Sequence, residues 1–172
     1  DRDVRGNVDR SCEVDPMEMS GRYEWTRPKA WKMDWELRRE SETVATLSSP
    51  AFFGTSMRGS FGGTDYVLRK GGLRVPGAAM NIVGEKEDLA VLSIDSLGKG
   101  TISYKGTPDL SWERTGQGED WIVMEEGKGT LFTVHRDVKS RRPRGVVTIE
   151  QGHPALGPII LLSWFMISAT DP

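Results

Sequence analysis

The chain of 172 residues is long enough to bury a real core as one domain, and 37% hydrophobic with 28% charged residues is an ordinary soluble-protein balance. A formal net charge of -2 excludes any global cationic bias toward nucleic acid or anionic membrane. The single cysteine, Cys12, excludes an internal disulfide and a cysteine-based metal cluster. A reducing, cytoplasmic compartment is the expectation. The first residue is Asp1 rather than Met, which leaves open whether an upstream signal, pro-segment or tag has been removed.

Residues 1–21, "DRDVRGNVDRSCEVDPMEMSG", are charged, turn-rich and aperiodic, and read as an extended or disordered arm. Residues 22–172 read as a single domain, because no linker or composition shift divides them. Its clearest strand is "AWKMDWELR": Trp31, Met33, Trp35 and Leu37 point to one side, and Lys32, Asp34, Glu36 and Arg38 to the other. That period of two predicts a half-buried antiparallel strand with its rings in a core. Further short strands are expected at "TVATLS", "SMRGSF", "DYVLRK", "AAMNIV", "LAVLSI", "TISY", "LSWER", "DWIVMEE", "TLFTVHR" and "VVTIE". Gly- and Pro-rich separators between them predict tight turns, hence a closed barrel or a sandwich. "GKGTI" at Gly98 and "GKGTL" at Gly127 echo each other. Lying between strands, both predict hairpin turns rather than phosphate-binding loops, which run from a strand into a helix.

The chain closes on "HPALGPIILLSWFMISATDP". Crossing a bilayer takes about 20 apolar residues, and the run from Pro158 is roughly half that before Ser168, Thr170 and Asp171 interrupt it. A buried strand is the alternative to a helix, and Pro158 decides for the helix, since proline suits a helix start. A helix apolar on all sides must be surrounded by protein, and in an all-β chain that place is the lumen of a barrel. Leu161, Trp164 and Phe165 are expected to share a buried face with Trp31, Met33, Trp35 and Leu37.

The fold class is therefore mainly β: a closed antiparallel barrel of about a dozen short strands around a hydrophobic C-terminal helix. In this pattern the chain resembles the tubby C-terminal-like superfamily, which includes tubby domains, phospholipid scramblases and LURP-one-related proteins. The resemblance runs over residues 23–170 and rests on "AWKMDWELRRESETVATL", the meander after it and the closing "GHPALGPIILLSWFMISA". It implies a non-enzymatic binding or adaptor module, with phosphoinositide headgroups held by basic surface residues as in tubby domains. The acidic calcium segment and cysteine-rich palmitoylation site associated with scramblases have no match here.

The concentrated charge of the chain is "HRDVKSRRPRG", where Arg136, Lys139, Arg141, Arg142 and Arg144 crowd one connection. These cations are the candidate site for an anionic partner, a phospholipid headgroup first, with Arg38, Arg39, Arg69 and Lys70 as possible extensions. A solvated hairpin tip is the plain alternative. The Trp residues of "LSWER" and "DWIVMEE" are expected in the core rather than as base-stacking platforms, so nucleic acid is not the expected partner. His135 and His153 are the only histidines. Neither they nor the turn carboxylates have the spacing of a catalytic or metal site, and no enzyme activity and no cofactor are expected. Two other readings remain: an assembly subunit joining neighbours through its arm or surface, and a barrel holding a small apolar ligand. The protein is expected in the cytoplasm, peripheral at a membrane and without an integral span.

Overall fold

The computed structural model describes residues 19–29, 31–49, 56–71, 76–116, 118–137, 139, 141 and 144–170. Apolar residues at alternate positions make one strand after another: β1 Gly21–Thr26, β2 Trp35–Arg39, β3 Glu42–Ser48, β4 Ser56–Phe61, β5 Thr64–Lys70 and β6 Gly77–Ile82. They continue as β7 Ala90–Ile94, β8 Lys99–Tyr104, β9 Leu110–Thr115, β10 Asp120–Glu125, β11 Gly129–Asp137 and β12 Arg144–Ile149. Each strand pairs antiparallel with the next, and β1 pairs with β12 from Gly21↔Ile149 to Thr26↔Arg144, closing a barrel of twelve strands. Closure leaves no unpaired sheet edge in the ring.

The apolar tail is the helix α1, Leu156–Thr170, inside this barrel. Every residue from Leu156 to Ile167 is buried, as a helix apolar on all sides requires. It begins ahead of Pro158, which sits in the first turn, where backbone N–H groups have no intrahelical acceptor and a missing donor costs little. Close approach sets two glycines. A Cβ on Gly145 of β12 would strike the Trp164 ring, and one on Gly157 would strike the Phe61 ring. The hairpin expectation at the Gly-Lys-Gly echoes is borne out: Gly98 and Gly127 both take φ +80° between paired strands.

The chain enters the helix through His153, 3% exposed, whose Nδ1 accepts the Ala155 N–H at 3.0 Å while its carbonyl accepts the Leu156 N–H at 3.3 Å. Burial pushes this imidazole below its usual range, outweighing the Glu125 charge that pulls it up. The unfolded chain therefore binds the proton more readily, so stability is complete above about pH 6.5 and is lost as pH falls from there through the folded-state value. A His153→Asn variant, whose side-chain oxygen can accept the same N–H, is expected to lose that acid-side slope in urea melts run across pH. An unchanged slope would remove His153 as its source.

Several expectations need correction. The strand expected over "AWKMDWELR" begins only at Trp35; Trp31 is 72% exposed and Met33 50% exposed, so neither belongs to the core. The reason is pairing. The β1–β2 ladder ends at Thr26↔Glu36, so the chain ahead of Trp35 has no neighbouring strand on which to continue the alternation. It turns instead, with the Lys32 N–H donating to the Lys29 carbonyl at 3.2 Å. Trp35, Leu37, Leu161, Trp164 and Phe165 are buried as expected. The strand β1 is not among the expected ones, although Tyr23 and Trp25 alternate inward with Arg22 and Glu24 outward. The expected arm over residues 1–21 lies outside the described residues up to residue 18. Its last three residues already belong to the fold: Met19 is buried and Gly21 opens β1.

Candidate binding surface at one end of the barrel

With all strands antiparallel in sequence order, the odd-numbered strands all finish at one end of the barrel and the even-numbered strands at the other. The helix starts after β12 at the even end and finishes at the odd end. There Lys70, the last residue of β5, donates its Nζ to the Ala169 carbonyl at 3.1 Å. The helix carries no basic residue in its own last turn, so the barrel wall supplies the cation that its negative end favours.

Other cations gather at this odd end through the β1–β2 and β11–β12 connections, which leave the barrel from neighbouring strands because β1 lies between β2 and β12. The expected site residues divide between the strands and the connection. Arg136 is half-buried on β11, opposite Gly145, and Arg144 opens β12 with its Nε donating to Asp137 Oδ2 at 3.0 Å. Both are strand residues at the base of the hairpin: Arg136 falls in the strand expected over "TLFTVHR", whereas Arg144, expected in the connection, opens β12 instead. Asp137 Oδ1 also accepts the Lys139 backbone N–H at 3.1 Å. Lys139 and Arg141 are exposed, and Arg142 lies outside the described residues. Across β1, Lys29 and Lys32 are exposed in the other connection. Among the described residues, no carboxylate pairs with Lys29, Lys32, Lys139 or Arg141.

The β1–β2 connection is a built structure. Arg27 donates through Nε and Nη2 to the Lys32 carbonyl at 3.1 and 2.8 Å, while its guanidinium lies 5.5 Å from the centre of the Trp35 ring. Arg114 repeats the device at the β9–β10 turn, gripping the Gly118 carbonyl at 2.9 and 2.6 Å over Trp121 at 5.2 Å. Each clamp joins a strand-end cation, a loop carbonyl and a ring on the next strand.

Of the proposed extensions, Arg69 and Lys70 both lie where β5 finishes at this end. Arg69 pairs with Asp88, and Arg38 and Arg39 sit where β2 finishes, at the even end. That end is acidic, with Glu85, Glu87, Asp109, Glu126 and Glu150 exposed in or beside its connections. A groove of about 500 Å³ there is lined by Asp109, Ser111, Met124, Glu125 and Glu126, which suits a cation and repels an anion. His135 is exposed and meets Asp120 at 2.6 Å, an ordinary surface pair. Trp112 and Trp121 are buried, as expected of core rings.

The chain is thus a closed antiparallel barrel of twelve strands on a C-terminal helix, with one cation-rich end. No family model, curated protein or solved structure matches it. No helix of the described residues is long and apolar enough to cross a membrane.

Proposed function

We propose that the protein is a tubby-like, LURP-one-related binding module, not an enzyme, whose odd end docks on an anionic phospholipid surface. The observation that supports this reading is that strand pairing brings the β1–β2 connection, with Lys29 and Lys32, and the β11–β12 connection, with Lys139 and Arg141, to the same end on strands adjacent through β1. Without carboxylate partners among the described residues, these side chains have their charge available for an external anion. Each cation near an anionic leaflet contributes on the order of 1 kcal/mol, so a cluster suffices for recruitment.

A variant with Lys29, Lys32, Lys139 and Arg141 changed to Gln tests the reading. Exposed substitutions of this kind leave stability within about 0.5 kcal/mol, so its melt should match the parent. Its partition onto vesicles containing phosphatidylserine or a phosphoinositide should fall on the order of 1000-fold at low salt, four cations at about 1 kcal/mol each. Equal partition of parent and variant would send the search to another face. Two alternatives have less support. The lumen that an apolar-ligand barrel would keep open is filled by α1. The arm through which an assembly subunit would join its neighbours, "CEVDPMEMS", lies outside the described residues but for its last two.

A further inference from the structure

Five large hydrophobic side chains are exposed among the described residues: Trp31 at 72%, Met33 at 50%, Val83 at 39%, Val91 at 36% and Leu97 at 82%. Single exposed hydrophobics are commonplace on protein surfaces, and their positions are what matter here. The most exposed three, Leu97, Trp31 and Met33, all belong to connections at the odd end. Trp31 and Met33 join β1 to β2, and Leu97 joins β7 to β8 on the far side of the ring. The same end carries the cations that have no carboxylate partner among the described residues.

Both connections are shaped by specific hydrogen bonds. Arg27 fixes the first through its grip on the Lys32 carbonyl. In the second, Asp95 Oδ1 accepts the backbone N–H groups of Leu97 and Lys99, each at 2.9 Å, and Gly98 at φ +80° completes the turn. Trp31 also stands apart from its own kind. The chain has six tryptophans, and the other five, Trp25, Trp35, Trp112, Trp121 and Trp164, are at most 5% exposed. An indole combines a large apolar area with a polar N–H, which suits the boundary between headgroups and acyl chains.

We infer that Trp31, Met33 and Leu97 are apolar tips that enter the bilayer while the cations beside them hold the headgroups. This rests on the proposed docking of the odd end and adds to it that the partner is an intact bilayer, not a soluble anion. Charge complementarity argues for that occupant over an apolar protein groove, because Lys29 and Lys32, without a carboxylate partner among the described residues, flank Trp31, whereas Lys99 beyond Leu97 is engaged by Glu113 at 3.8 Å. Tips on opposite sides of the ring would seat the barrel with α1 pointing its C-terminal end at the membrane. The attraction then has two parts: a Coulombic part that salt screens, and an apolar part that salt leaves in place.

The test uses vesicles of phosphatidylcholine doped with phosphatidylserine, the whole chain, and the variants Trp31→Ala, Trp31→Phe and Trp31→Ala/Leu97→Asn. All three variants should melt like the parent, since the altered side chains are exposed. Trp31→Ala should weaken partition about tenfold at low salt, and Trp31→Phe less. On raising salt from about 0.1 to about 0.5 M, the parent should retain residual binding that the double variant loses. The emission difference between parent and Trp31→Phe isolates one indole, and it should shift to the blue when vesicles are added. If the parent binds but Trp31→Ala binds equally at every salt concentration and the difference emission does not move, insertion is overturned while electrostatic docking stands. Tight binding of inositol hexakisphosphate without binding to vesicles would overturn insertion in favour of a soluble anion. If the parent binds neither, insertion and docking both fail.

Discussion

Trp164→Ala is expected to cost about 3–5 kcal/mol of stability, a large share of the roughly 5–15 kcal/mol that holds a domain together. Trp164 is 1% exposed near the middle of α1. Its ring stacks on Trp25 at 5.8 Å and 7°, and meets the edge of Trp35 at 5.0 Å and 84°. Gly145 leaves the ring a slot on β12. Strands β1, β2 and β12 therefore grip the helix through one side chain, and truncation leaves a cavity that paired strands cannot collapse around. The indole N–H groups of Trp25, Trp35 and Trp164 reach no acceptor among the described residues, so the contribution is ring area and packing, not hydrogen bonding. Trp164→Phe should consequently cost less than Trp164→Ala. The measurement is the urea midpoint, with Trp31→Ala as the exposed-indole control. A parent-like midpoint for Trp164→Ala would mean that the helix is not gripped in this way.

Gly145→Val is the second large effect, and its origin is the opposite: too much volume. Gly145 lies in register with Trp25 on one side and Arg136 on the other, so its backbone is held by ladders from both neighbours. Its φ is not positive, so the substitution brings no backbone strain of its own. The new side chain meets the Trp164 ring, which is itself packed against Trp25 and Trp35. Overpacking of this kind costs about 1–3 kcal/mol. The two sites should then be strongly coupled: in a Trp164→Ala background, Gly145→Val fills space vacated by the ring and should cost little or add stability. A coupling energy of about 0.5–3 kcal/mol is expected from the double-mutant cycle. Simple addition of the two losses would show that Gly145 and Trp164 do not share that slot.

Much of this barrel is legible from local pattern. Leu68, Leu92, Ile102 and Val123 each sit in a short alternating run between turn residues, and each faces the core. The tail is legible from its length and from Pro158. Pairing is where local pattern fails. Trp31 and Met33 continue the rhythm of Trp35 and Leu37 without a break, yet a strand extends only as far as its neighbour does, and β1 ends its ladder with β2 at Thr26. The strand β1 itself is hidden because Tyr23 and Trp25 come directly after a charged, aperiodic segment. The candidate surface is half legible: the basic run of Arg136 to Arg144 is visible in the sequence, but its neighbourhood is not. Lys29 and Lys32 come beside it only because β12 closes the ring on β1, a contact between opposite ends of the chain. His153 carries a weak signal, a histidine just ahead of the apolar run, but its burial depends on the mouth of the barrel around it.

The most direct test of docking by the odd end is hydrogen exchange of the parent chain with and without phosphatidylserine-containing vesicles. Protection is expected to rise in the peptides covering residues 27–34, 95–99 and 137–144, which connect strands at the odd end. Peptides covering 83–89, 105–109 and 126–128, at the acidic end, should exchange as they do in solution. Protection confined to the acidic end, or absent from both ends while the protein is vesicle-bound, would contradict the proposed orientation and the function built on it.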